Sequence, residues 1–164
     1  MATNWSLPSI ITQYAESGAE DVHLLWDLTE QRLKTSGQLQ HIARSPKHDL
    51  RNKTYFLKLQ GFNFTSAPEV LSGIALRLAV SRRGRITDET IQLCLGEDLV
   101  GDNLASLSLD PMKTYGGETN LWNTSLSITD ILTPEFGVVL RFQAHPHWPH
   151  RDAAFIDAVE IQIY

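Results

Sequence analysis

One cysteine in 164 residues leaves no partner for an intrachain disulfide. Cys94 lies in the apolar run "TIQLCL", where a buried free thiol is the expectation, in keeping with assembly in a reducing cytoplasm. Apolar runs are short throughout, and none reaches the roughly 18 residues needed to span a bilayer. The opening "MATNWSLPSIITQYAES" lacks the basic and long apolar regions of a secretory signal. Excess positive charge is also missing. A net charge of −5 offers no electrostatic footprint for nucleic acid or an anionic membrane, so neither is expected as a partner. The sole basic cluster, "SRRGR" (Ser81–Arg85), is followed at once by Asp88 and Glu89 and reads as a solvated hairpin turn. Catalytic signatures are absent too. No G-x-S-x-G elbow occurs, and Cys94 lacks the electropositive surroundings that make a reactive thiolate.

What the chain has in quantity is alternation. At this length one domain with its own core is expected. "GIALRLAV" places Ile74, Leu76, Leu78 and Val80 on one face, and "TIQLCL" does the same for Ile91, Leu93 and Leu95. "EFGVVLRF" aligns Phe136, Val138, Leu140 and Phe142 and turns Gly137, Val139 and Arg141 outward. "FIDAVEIQIY" sets Phe155, Asp157, Val159, Ile161 and Ile163 in phase, which would bury Asp157. A period of two marks half-buried strands. In "YFLKLQGFNF" the phase slips at Gly61, a sign of a bulge or bend. Turn-rich connections separate these strands without a helical pattern after residue 55, which predicts an all-β antiparallel sandwich. Upstream, "EDVHLLWDLTEQRLK" (20–34) has helical spacing and is read as one short helix; "GQLQHIAR" (37–44) reads as a strand and "SPKHDLRNK" (45–53) as a polar turn. Residues 1–20 carry Trp5, Ile10, Ile11 and Tyr14 without a clear partner. They read as an apolar N-terminal arm for assembly contacts, ahead of a sandwich domain at 21–164.

Three clusters could carry chemistry. "HPHWPHRD" offers His145, His147, His150 and Asp152, residue types that can complete a tetrahedral zinc site. Two prolines make it a stiff loop instead, and Trp148 on it is a candidate contact residue. "GEDLVGDN" supplies Glu97, Asp98, Asp102 and Asn103, hard oxygen donors for calcium without the spacing of an EF-hand; turn formation explains them as well. Asp88, Glu89, Asp130 and Asp157 are acids that sequence cannot pair into a hydrolytic site. The expectation is therefore no catalytic residue, no metal and no cofactor. Candidate contact residues are Trp5, Ile10, Ile11, Tyr14 and Trp148.

The order of motifs from residue 55 on adds a resemblance. "LKLQGFNF" (57–64), "LSGIALRLAVSR" (71–82), "ITDETIQLCL" (86–95), "GDNLA" (101–105), "YGGETNLW" (115–122), "DILTPEFGVVL" (130–140) and "IDAVEIQIY" (156–164) follow one another. This succession resembles a recurrent family of β-sandwich proteins encoded among bacteriophage and prophage structural genes. The tryptophan, "P-x-N" turn and "A-T" strand with which that family opens are not matched, since Trp26 is followed by "DLTEQRLK". The resemblance implies a jelly-roll-like sandwich acting as a non-enzymatic part of a phage particle, such as a capsid decoration, neck, baseplate or tail-fibre component. Implied partners are other virion proteins and further copies of the chain in threefold or other closed symmetry, with assembly in the host cytoplasm. The alternative is a carbohydrate-binding module for host-surface glycans, with Tyr115, Trp122 or Trp148 stacking on sugar rings.

Overall fold

A computed structural model of the chain describes residues 2–18, 24–28, 41–44, 53–145 and 152–164. They form ten strands and one helical turn. The strands are β1 (Ile10–Tyr14), β2 (Trp26–Asp27), β3 (His41–Arg44), β4 (Phe56–Gln60), β5 (Ile74–Arg83), β6 (Ile86–Leu95) and β7 (Asp98–Val100), followed by β8 (Met112–Gly117), the turn α1 (Ile128–Ile131), β9 (Phe136–Ala144) and β10 (Ala153–Ile163). Two antiparallel sheets result, ordered β1-β4-β9-β6-β7 and β2-β3-β10-β5-β8. Without the two N-terminal strands these orders are 4-9-6-7 and 3-10-5-8, the double Greek key of a jelly roll. The expected all-β sandwich and its jelly-roll connectivity are thus what the chain forms.

Inner faces of the sheets meet in one core. Leu57, Leu59, Ile91, Leu93, Phe136, Val138, Leu140 and Phe142 oppose Ile74, Leu76, Leu78, Ile156, Val159, Ile161 and Ile163. Each such buried side chain is worth about 1.5–3 kcal/mol in transfer free energy, so this alternation drives the collapse. Two register slips adjust it. One lies between Asp88 and Thr90 in β6, the other between Ile156 and Ala158 in β10. The second corrects the expectation for Asp157. The extra residue lets Ile156 and Val159 both face the core, and Asp157 is left half-buried outside, accepting a hydrogen bond from the Ser81 hydroxyl. Gly61 ends β4 with φ +70, the bend expected from the phase slip there.

Other expectations need correction. Leu24 bridges Thr54, and Trp26–Asp27 pairs with β3, so this part of the stretch expected to be helical is extended. A buried Trp26 whose Nε1 donates to the Tyr55 carbonyl (2.9 Å) sets that conformation, tertiary packing overriding local propensity. Residues 20–23 and 29–34 lie outside the described residues, as do 37–40 and 45–52. Nor do residues 3–14 project as a free arm. Thr3 and Ser6 donate backbone bonds to Ile163 and Ile161, and β1 pairs with β4 throughout. Val139 and Arg141 point outward as expected but are buried, because long side chains on β4 and β6, Lys58 and Gln92, flank Val139 in register.

The sandwich has two distinct ends. The β5–β6 hairpin at Gly84 marks one, here the hairpin end. Ten residues along β6, about 30 Å at strand rise, the β6–β7 turn at Gly96 marks the far end. Loop 61–73 crosses the far end between the sheets, and loop 104–111 crosses the hairpin end.

Candidate interaction site

Loop 104–111 is held to the strands by side chains from both sheets. Its anchor is Asp88, on β6 just before the register slip, in phase with Ile86 and fully buried. The Asp88 carboxyl accepts from the backbone N–H of Ser106 (2.8 Å), from that of Ser108, and from the Tyr115 hydroxyl (3.2 Å). Three donors, two of them loop amides, converge on this buried carboxyl, which gives it a positional role. Burial first, and then Asp88, push the Tyr115 hydroxyl well above its ordinary range, keeping it a protonated donor.

Arg82 closes the loop from the other side. Its Nε donates to the Ile86 carbonyl (2.9 Å), and its Nη1 to the carbonyls of Asp110 (2.7 Å) and Val80 (3.3 Å). The planar fork suits this, since several carbonyls can be met by one rigid group. Asn103 fixes the loop's start. Its side chain accepts from Ile91 N (2.8 Å) and Ala105 N (3.0 Å) and donates to the Glu89 carbonyl (3.0 Å). The Lys113 ammonium lies 5.2 Å from the Tyr115 ring centre and also bonds the Ser106 hydroxyl.

Between the two amides held by Asp88 sits Leu107 at φ +55, a left-handed conformation that costs a bulky residue about 1–3 kcal/mol. That strain is held by the flanking bonds. It turns Leu107 outward, and Leu107, Leu109 and Met112 are 62%, 51% and 63% exposed. An anchored backbone therefore presents three apolar side chains to solvent, an arrangement suited to contact.

A second cluster lies on the outer face of the β1–β4–β9 sheet. Tyr14 stacks on Phe56 at 5.1 Å, Arg141 stands 4.5 Å over Phe56, and Lys58 bonds Glu97 at 2.7 Å. Arg141 also meets Glu16 (3.2 Å) and Glu89 (3.5 Å). These groups satisfy one another and tie β1 to the sheet. Cys94 is buried on this face, and burial pushes its thiol up to about 12, far from a nucleophile at neutral pH.

The residues singled out from sequence are scattered. Trp5 packs 4.3 Å from the Arg77 guanidinium, Ile10 is exposed, Ile11 packs partly against the core, and Tyr14 is stacked as described. Trp148, His147 and His150 lie outside the described residues; His145 Nε2 is 3.1 Å from the Thr87 hydroxyl, and buried Asp152 accepts from Arg85 N (3.1 Å). Of the acids in "GEDLVGDN", Glu97 pairs with Lys58, while the Asn103 amide serves the loop. Among the described residues no group of three or more His, Cys, Asp or Glu stands close enough to hold a metal ion. Trp122 is a buried anchor whose Nε1 donates to the Ile74 carbonyl at 2.9 Å, and Tyr115 is buried in the same core. Sequence reasoning missed Asp88 and the loop it holds. The available signal was that Asp88 shares the inward phase of Ile86, a carboxyl that must find donors once buried. No protein-family model and no curated protein matches this chain.

Proposed function

We propose that this protein is a non-enzymatic structural component of a bacteriophage particle, acting by protein–protein adhesion. The observation that carries the adhesive part is the pinned loop, whose exposed Leu107, Leu109 and Met112 are held by Asp88 and Arg82. A preordered apolar surface binds with less loss of conformational entropy than a mobile one. The particle context rests on the motif order shared with phage-associated sandwiches from residue 57 to 164. The buried Asp88, Lys58 and Arg141 and the half-buried Arg82 support a non-catalytic reading, since all four are engaged in holding the fold. The glycan alternative is weakened by Trp122 and Tyr115, only 0% and 4% exposed and so closed to sugar rings.

Mass spectrometry of purified particles, with the wild-type chain compared to Leu107→Ser/Leu109→Ser, tests the reading. Wild type should copurify with the particle, and the double variant should fall to a small fraction of that level while folding normally by circular dichroism. A wild-type chain absent from particles, or a double variant incorporated at the wild-type level, overturns it.

A further inference from the structure

The two ends of the sandwich differ in charge and in shape. At the hairpin end, Arg83 and Arg85 are exposed on the hairpin, and Arg82 and Lys113 flank the loop. Four of the chain's 14 cations therefore stand at the end from which Leu107, Leu109 and Met112 project, in a protein whose net charge is −5. Of the acids at this end, Asp88 and Asp152 are buried inside it, Asp157 is half-buried and holds the Ser81 hydroxyl, and Asp110 on the loop is exposed, so the cations outnumber the acids that face solvent.

The far end is the reverse. Glu69, Glu97, Asp98, Glu118 and Glu135 are exposed there, and Lys58, the one cation there among the described residues, is held by Glu97. It is also concave. A hollow of about 540 Å³ is lined by Ala67, Pro68, Glu69 and Val70, and one of about 380 Å³ by Ser72, Glu118 and Tyr164; Ala2 borders both. Volumes of this size accommodate several side-chain groups. Val70 at the rim is largely exposed, and Leu99 and Leu132 at the same end are close to half exposed.

We propose that copies of this chain associate head to tail, the apolar loop of one copy and the arginines of the adjoining hairpin seating in the acidic hollow at the far end of the next. The fit is between a knob and a hollow of opposite charge, about 30 Å apart on one molecule by the length of β6. Two different surfaces meet, so the contact is heterologous. It closes into a ring or extends as a filament according to the rotation between copies. The proposal rests on the adhesive reading and gives it a second copy as the partner.

Sedimentation velocity of the full chain tests it, with two charge-reversed variants, Arg83→Glu/Arg85→Glu and Glu69→Lys/Glu118→Lys. All four positions are exposed, so folding is spared. Wild type should sediment as oligomers at low ionic strength and weaken about tenfold or more near 1 M salt, where the screening length is about 3 Å. Each variant alone should stay monomeric. Mixing the two should restore association, because one retains the acidic end and the other the arginines of the hairpin. A wild-type monomer at low salt, variants that associate like wild type, or a mixture that stays monomeric would each overturn the proposal. A monomeric chain that still enters particles sinks the head-to-tail contact and leaves adhesion to other proteins standing; a polymerising chain absent from particles does the reverse.

Discussion

Replacing Asp88 by alanine removes the acceptor for three donors at once: Ser106 N, Ser108 N and the Tyr115 hydroxyl. Ser106 is exposed and can turn to water, so its loss costs little. Ser108 N and the Tyr115 hydroxyl are buried, and each orphaned buried donor costs about 1–3 kcal/mol. The left-handed Leu107 loses the bonds on both sides that hold it. Together these predict a destabilisation of about 3–5 kcal/mol for Asp88→Ala. With a urea m-value of about 2 kcal/mol/M, the midpoint should fall by about 1.5–2.5 M at unchanged m. Hydrogen exchange should separate local from global effects, because the amides of 104–110 should lose protection well beyond those of β9. Asp98→Ala, at an exposed acid on the opposite end, is the control and should shift stability by less than about 0.5 kcal/mol. An Asp88→Ala protein within about 1 kcal/mol of wild type, with loop protection intact, would refute the assignment of Asp88 as the loop's anchor.

Trp122→Phe should cost about 2–4 kcal/mol by chemical denaturation, since it leaves a cavity and deprives the buried Ile74 carbonyl of its indole donor. Gly116→Ala should cost about 2 kcal/mol or more by the same assay: φ is +74, and a Cβ would strike the Ile74 carbonyl and the Trp122 ring. Cys94 should resist thiol reagents at pH 8 in the folded protein and react at once when unfolded. Its thiol is raised from 9.0 to about 12 by burial, so the stability it contributes is complete below pH 9 and lost as pH climbs toward 12; Cys94→Ala should flatten that decline in a pH series of denaturation midpoints. Glu16→Gln should change stability by less than about 1 kcal/mol despite its bond to Arg141, because Glu16 is itself mostly exposed.

Alternation alone determined the class of this protein. The inward faces of β4, β5, β6 and β9 follow directly from a period of two, since each strand's side-chain direction is a local property of extended backbone. The phase slip at Gly61 was legible for the same reason. Where an extra residue enters the ladder, local reading fails. Asp157 looked inward and is outward, because the slip after Ile156 depends on how β10 lies against β5. Trp26 looked helical and is extended, because its side chain is drawn to the Tyr55 carbonyl and the core. Arg141 looked solvated and is buried, because its neighbours across two other strands cover it.

Site geometry was still less accessible from sequence. Asp88, Arg82 and Tyr115 lie on three strands of two sheets, and their meeting beneath Ser106 and Ser108 is a product of the jelly-roll order. The opposition of a basic, projecting end to an acidic, hollow one has the same origin. The arginines of "SRRGR" and the glutamates at 69, 118 and 135 are interspersed along the chain, and only the path of the strands sorts them to opposite ends. Sequence determined which faces seek the core, by side-chain chemistry acting over a few residues. Tertiary structure decided which polar groups meet and which surface is left to meet something else, because those depend on contacts between segments far apart in the chain.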